Sequence, residues 1–204
     1  MSIVSTAPLG MRFADPMTGA TVASGLDVAA RGPASARFVN ARPGAGGVYA
    51  FHGLSGLIAV ERAERIPGGS TTQVAGDANW WQHHQGKVAC EVRVRDPQKR
   101  FQPFRFVAPL PHRGLFAPPC AAPPAGVEPF VPLFSAPGRP APAGMAVVRA
   151  ELWDRVADRA AAWARLEVWH GATRVGHGFA DAEGRAAIYF RPPPFTEAPL
   201  VAGQ

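Results

Sequence analysis

The sequence predicts an all-β protein of small antiparallel β-sandwich modules joined by a Pro-rich linker. Three observations lead there. Gly and Pro each occur 22 times in 204 residues. Pro removes an amide donor and Gly carries an entropic cost, so long helices are hard to build and short strands between turns are the natural outcome. The segment Val88–Arg95 places apolar Val88, Cys90, Val92 and Val94 in strict alternation with Ala89, Glu91, Arg93 and Arg95, which is the period-two pattern of a strand with one buried face. Two Asp-led turns, Asp96-Pro-Gln-Lys99 and Asp181-Ala-Glu-Gly184, stand beside such strands. Pro presets φ at the second turn position, and Asp-x-x-Gly supplies a side-chain acceptor and a left-handed residue.

In chain order, residues 1–65 read as an N-terminal β module with strands at Leu26–Ala30, Arg37–Asn40, Gly47–His52 and Leu57–Ala63. Turn signals at Arg31-Gly-Pro and Arg42-Pro-Gly-Ala-Gly-Gly separate them. Residues 66–116 read as a long loop followed by a central hairpin. The loop, Ile66–Gln85, has little periodicity and carries Trp80, Trp81, His83 and His84. Loops of this length are commonly functional or disordered, and a Trp pair within one suits either anchoring on a partner or capping a sandwich end. The hairpin runs through Lys87–Phe116, with Phe101, Phe104 and Phe106 on the return. Residues 117–142 form the Pro-rich linker, in which Val131, Leu133 and Phe134 could dock as a short edge strand.

Residues 143–204 form the C-terminal sandwich module. Met145–Trp153 reads as a strand. The stretch Asp154–Leu166 is divided between helical spacing (Val156, Ala160, Trp163) and the alternation of Ala164, Leu166 and Val168. The expectation is strands joined by an Ala-rich turn. Gly178–Ala180 and Ala186–Phe190 then flank the Asp181–Gly184 turn as a hairpin. The closing segments of the first and last modules share a layout, since each passes through a Gly-containing turn into an aliphatic-Tyr strand (Val48-Tyr49; Ile188-Tyr189).

The formal charge is +6, carried mostly by Arg. Arg93, Arg95, Lys99, Arg100 and Arg105 are the densest group and lie among aromatics. Arg suits interfaces with carboxylates as well as phosphates, and the interleaved aromatics leave a nucleic-acid reading open. The favoured reading is the plainer one, a composition that prefers Arg to Lys, so nucleic acid is not expected. Cys90 and Cys120 read as free thiols. No basic-plus-apolar leader is visible at the start, and no apolar run approaches a membrane span. A chain that is made in the cytoplasm and stays soluble there, unless it leaves as part of a larger particle, is therefore expected, with no membrane partner.

His83, His84, Cys90 and Cys120 lack the tight ligand spacing of a zinc site. There is no G-x-S-x-G elbow, no dinucleotide fingerprint and no P-loop. No enzyme activity, catalytic residue, metal or cofactor is expected.

The stretch Gly178–Phe190, a strand, a D-x-x-G turn and an aromatic strand, resembles the closing strands of carboxypeptidase-regulatory-like and transthyretin-like modules. That resemblance implies an Ig-like or transthyretin-like sandwich. The transthyretin-like hydrolases of small ureides carry a His-rich catalytic pattern and a terminal Tyr-Arg-Gly-Ser motif, which this chain lacks. Arg95–Phe106 followed by Pro109–Phe116, with Pro132–Gly138 and Val148–Trp153, is similar to segments of accessory structural proteins from phage-tail-like contractile injection systems. That resemblance implies an adaptor subunit of a baseplate, cap or ring. Its partners would be sheath, tube, baseplate or cap components, with the chain itself a homo-oligomer or ring-bound. The interface candidates are Trp80, Trp81, Arg100, Phe101, Phe104, Arg105, Arg113 and Phe116. The competing readings are a carbohydrate- or peptide-binding β module and a hydrolase that announces no motif.

Overall fold

A computed structural model describes residues 7–62, 82–83, 85–119 and 126–194. The protein is all-β, with several antiparallel sheets and, among the described residues, only short helical pieces. The chain divides into two compact units, residues 1–134 and 135–204.

Unit 1 contains β1 (Leu9–Ala14), β2 (Asp27–Arg31), β3 (Val39–Asn40), β4 (Arg42–Pro43), β5 (Val48–Phe51), α1 (Ile58–Arg62), β6 (Val88–Arg95), β7 (Phe104–Leu110), β8 (Leu115–Phe116) and β9 (Val131–Pro132). One sheet runs β4-β5-β1-β8, with β9 also on β1; the other runs β3-β2-β6-β7. The β6–β7 hairpin is the predicted one, in register from Val88↔Leu110 to Val94↔Phe104. Its apolar alternation buries Cys90, Val92 and Val94. They join Leu9, Met11 and Phe13 of β1, Tyr49 and Phe51 of β5, and Val28 and Ala30 of β2 in a single core. Phe13 meets Tyr49 edge-on, with ring centroids 5.2 Å apart. Burial of each large apolar side chain in such a core contributes about 1.5–3 kcal/mol.

The sequence reading missed β1, although Leu9, Met11 and Phe13 alternate inward with Gly10 and Arg12 between them. Leu57–Ala63, expected as a strand, contains α1 instead. The Leu57 carbonyl accepts the amides of Val60 and Glu61, and the Glu61 carboxylate takes the Gly53 amide at 2.6 Å. That local closure holds the segment in a turn of helix.

Two expected boundaries also move. The N-terminal module and the central hairpin are one unit, because β2 pairs with β6 from Asp27↔Arg95 to Arg31↔Glu91. The Pro-rich stretch is not simply a linker. Val131 pairs with Phe13 in parallel, Leu133 is buried in the unit 1 core, and the Phe134 carbonyl accepts the Gln102 amide. Val131 and Leu133 thus dock as proposed from sequence, and the division falls at Phe134/Ser135 rather than at residue 142.

Unit 2 contains β10 (Ala146–Glu151), β11 (Trp153–Asp154), β12 (Arg159–Ala160), β13 (Arg165–His170), β14 (Thr173–Phe179) and β15 (Arg185–Phe190). Pairing is β10-β15, β11-β12 and β13-β14, all antiparallel. Strands joined by an Ala-rich turn are therefore what Asp154–Leu166 forms. The Asp181–Gly184 turn is present: the Asp181 carboxylate accepts the amides of Glu183 and Arg185, and Gly184 has φ +77. The expected β14–β15 hairpin is not. The turn carries the chain from one ribbon to the other, so β14 lies against β15 while pairing with β13. Gly176 and Gly178 on β14 permit that close approach to Ile188.

Candidate protein contact surfaces

The outer face of the β2-β6-β7 sheet carries the charge of unit 1. Across the strands, Ala29, Arg93 and Arg105 form one row, and Arg31, Glu91 and Val107 form the next. Alternation puts these on the side opposite Val92 and Val94. Glu91 accepts from Arg31 at 2.8 Å and from Arg105 at 3.1 Å. Those bonds, Arg31's first, hold the Glu91 carboxyl below its ordinary range. Phe38 lies under two guanidinium groups, Arg93 at 4.2 Å and Arg31 at 4.8 Å from its ring centroid. The face is a fixed lattice of planar cations over an aromatic ring, suited to carboxylates or flat apolar groups of a partner.

The interface residues expected from sequence are not gathered on one surface. Arg105 and Arg113 are exposed. Phe104 is half-buried and stacks on Phe106. Phe101 and Phe116 are corrected: both are core residues, at 4% and 2% exposure. Phe116 stacks on Phe106 at 5.6 Å. Phe101 is turned inward by the Asp96 clamp, whose carboxylate accepts the amides of Gln98, Arg100 and Phe101. The same carboxylate binds the Arg100 side chain at 2.9 Å, so Arg100 braces the turn. Burial pushes the Asp96 carboxyl up, but the Arg100 guanidinium and the turn amides outweigh it and hold the group below its ordinary range. Trp80, Trp81, His84 and Cys120 lie outside the described residues. Cys90 is a buried thiol whose pKa burial raises, which makes it a poor nucleophile.

Unit 2 presents a different surface. Among its described residues, the buried hydrophobics are Ala180, Ala186, Ala187, Ile188 and Tyr189. Only two of these are large. Meanwhile Trp153 is 61% exposed, and Trp163 and Trp169 are each 56% exposed. Val156 at the β11–β12 tip is wholly exposed, and Val148 on β10 is 43% exposed. None of these indoles is among the contact residues that the sequence predicts. The available signal was the number of Trp side chains set against an Ala-rich background. A shallow cleft lined by Asp154, Arg159, Trp163 and neighbouring alanines adjoins the tip.

Among the described residues, no three His, Cys, Asp or Glu side chains gather as a metal site, and no helix is long and apolar enough to cross a membrane. No protein-family model, curated protein or solved structure matches the chain.

Proposed function

We propose that this chain is a structural or adaptor subunit of a contractile, phage-tail-like particle, acting through protein–protein contact. The observation that carries the contact reading is in unit 2, where Trp153, Trp163 and Trp169 stand outside while the buried hydrophobics among the described residues are three alanines, Ile188 and Tyr189. Exposed Trp is costly for a solitary domain and is enriched where partners dock. The Arg-over-Phe38 lattice on unit 1 supports the same reading, since Arg and aromatic residues are favoured at interfaces. The particle itself is inferred from the similarity of Arg95–Phe116 to accessory proteins of contractile systems.

Size-exclusion chromatography with light scattering tests this, using the chain purified together with particles from its native host. Co-elution with sheath, tube, cap or baseplate proteins is the expected result. A chain that never enters the particle fraction overturns the particle assignment, and glycan and peptide arrays then test the binding-module alternative.

A further inference from the structure

We infer that a second copy of this chain docks along the open edge of β10 as an antiparallel partner strand. Among the described residues, β10 pairs with β15 on one side and with no strand on the other. The Leu152 amide donates to the Gly184 carbonyl at 2.9 Å, which extends the β10–β15 register by one residue. Hydrogen-bonded positions in an antiparallel pair recur every second residue. The even positions, Leu152, Ala150 and Val148, therefore bond toward β15, and the amides and carbonyls of Val147, Arg149 and Glu151 face the open edge.

Natural sheets protect such edges with Pro, bulges, charged side chains or very short strands. β10 has six residues with no Pro and no Gly, and its register with β15 is unbroken. Its charges are instead self-complementary. With Ala150 on a two-fold axis, Arg149 of each copy stands opposite Glu151 of the other, giving two opposite-charge pairs on one face. On the opposite face, Val148 of each copy stands opposite Leu152 of the other. Val148 is the exposed member of an inner pair whose partner, Ile188, is only 2% exposed. Moving the register by one step along the edge places Arg149 against Arg149, so the charges select one pairing. Among the described residues, neither Arg149 nor Glu151 has an ion-pair partner. Arg149 is held over the face by the Pro137 and Arg139 carbonyls.

The product is a four-stranded sheet, β15-β10 of one copy continuing into β10-β15 of the other, with an isologous interface. It also supplies what the ribbon lacks, because two-stranded sheets are marginal alone while three or more strands are stable. The inference goes beyond the particle assignment and does not depend on it.

Sedimentation equilibrium of the full chain tests it through a charge cycle. The wild type is expected to be a dimer. Arg149→Glu sets Glu against Glu151, and Glu151→Arg sets Arg against Arg149, so each weakens dimerisation by at least about tenfold. The double variant R149E/E151R restores an opposite pair and restores the dimer. Melting curves confirm that the variants fold. Independently, Ala150→Cys on a Cys120→Ser background forms an intermolecular disulfide on mild oxidation, because non-hydrogen-bonded antiparallel neighbours lie about 4.5 Å apart. A wild-type monomer at about 100 μM, a dimer indifferent to both single reversals, or a double variant that stays monomeric overturns the inference. A dimer that ignores tail-like particles overturns the particle assignment alone. A monomer that joins them overturns the β10 edge alone.

Discussion

A Cβ added to Gly176 would stand 3.0 Å from Ile188 Cγ2 and 3.1 Å from the Tyr189 carbonyl oxygen. The β14 backbone therefore rests on β15 with no room for a side chain. At Gly178, two residues on, the nearest atom is 3.4 Å away, which is ordinary contact. Gly176→Val is expected to cost about 1–3 kcal/mol by overpacking, and Gly178→Ala much less. Denaturant unfolding of the two variants checks the contrast. Equal losses would mean that ribbon spacing is not set at Gly176.

Gly184→Ala is expected to be harsher. Gly184 has φ +77, and an added Cβ would lie 2.5 Å from the Leu152 carbonyl oxygen. The left-handed conformation alone costs about 1–2 kcal/mol, and the clash is with backbone. The check is the thermal midpoint, which should fall further than for Gly178→Ala.

Asp96 makes stability depend on acid. Its folded pKa lies below the unfolded value because Arg100 and the turn amides outweigh burial. A depressed carboxylate contributes stability that is fully present above its unfolded pKa, about 3.9. That contribution is lost as pH falls through the lower folded value. Asp96→Ala should lower stability at neutral pH by about 1.5–3 kcal/mol, the range for hydrogen bonds to charged groups. It should also flatten the acid limb of a stability–pH curve measured from pH 7 downward. An unchanged acid limb would contradict the role given to the clamp.

Phe101→Ala and Arg105→Ala separate core from surface. Phe101 is buried, so its loss should cost about 3–5 kcal/mol. Arg105 is exposed beside Glu91, so its removal should leave the melting curve nearly unchanged. Any effect of Arg105→Ala should appear in partner binding.

The β6–β7 hairpin and both Asp turns were readable because their causes are local: alternation from Val88 to Val94, and side-chain acceptors within five residues of the amides they bind. The fate of the strand after Gly184 was not readable in the same way. Turn chemistry fixes the bend, whereas sheet membership depends on β10, more than thirty residues earlier in the chain. Leu57–Ala63 differs from the expectation because an apolar run suits a strand or a helical turn equally, and the Glu61-to-Gly53 bond that closes the turn reaches eight residues back, outside the apolar pattern. Phe101 and Phe116 follow Arg-rich or loop segments, so their burial depends on where the Asp96 clamp and β8 aim them. Phe38, between Arg31 and Arg93, could not be singled out, since β2 and β6 meet only in the folded sheet. The indoles of unit 2 were visible as letters, but their exposure follows from how few large side chains lie beneath them.

The contact surface of unit 2 is tested most directly by sedimenting tail-like particles from the native host with tagged chain. Wild type is compared with the folded triple variant W153A/W163A/W169A. The account predicts that wild type pellets with sheath and tube proteins and the triple variant stays in the supernatant. Wild-type chain that remains in the supernatant while intact particles pellet would contradict it.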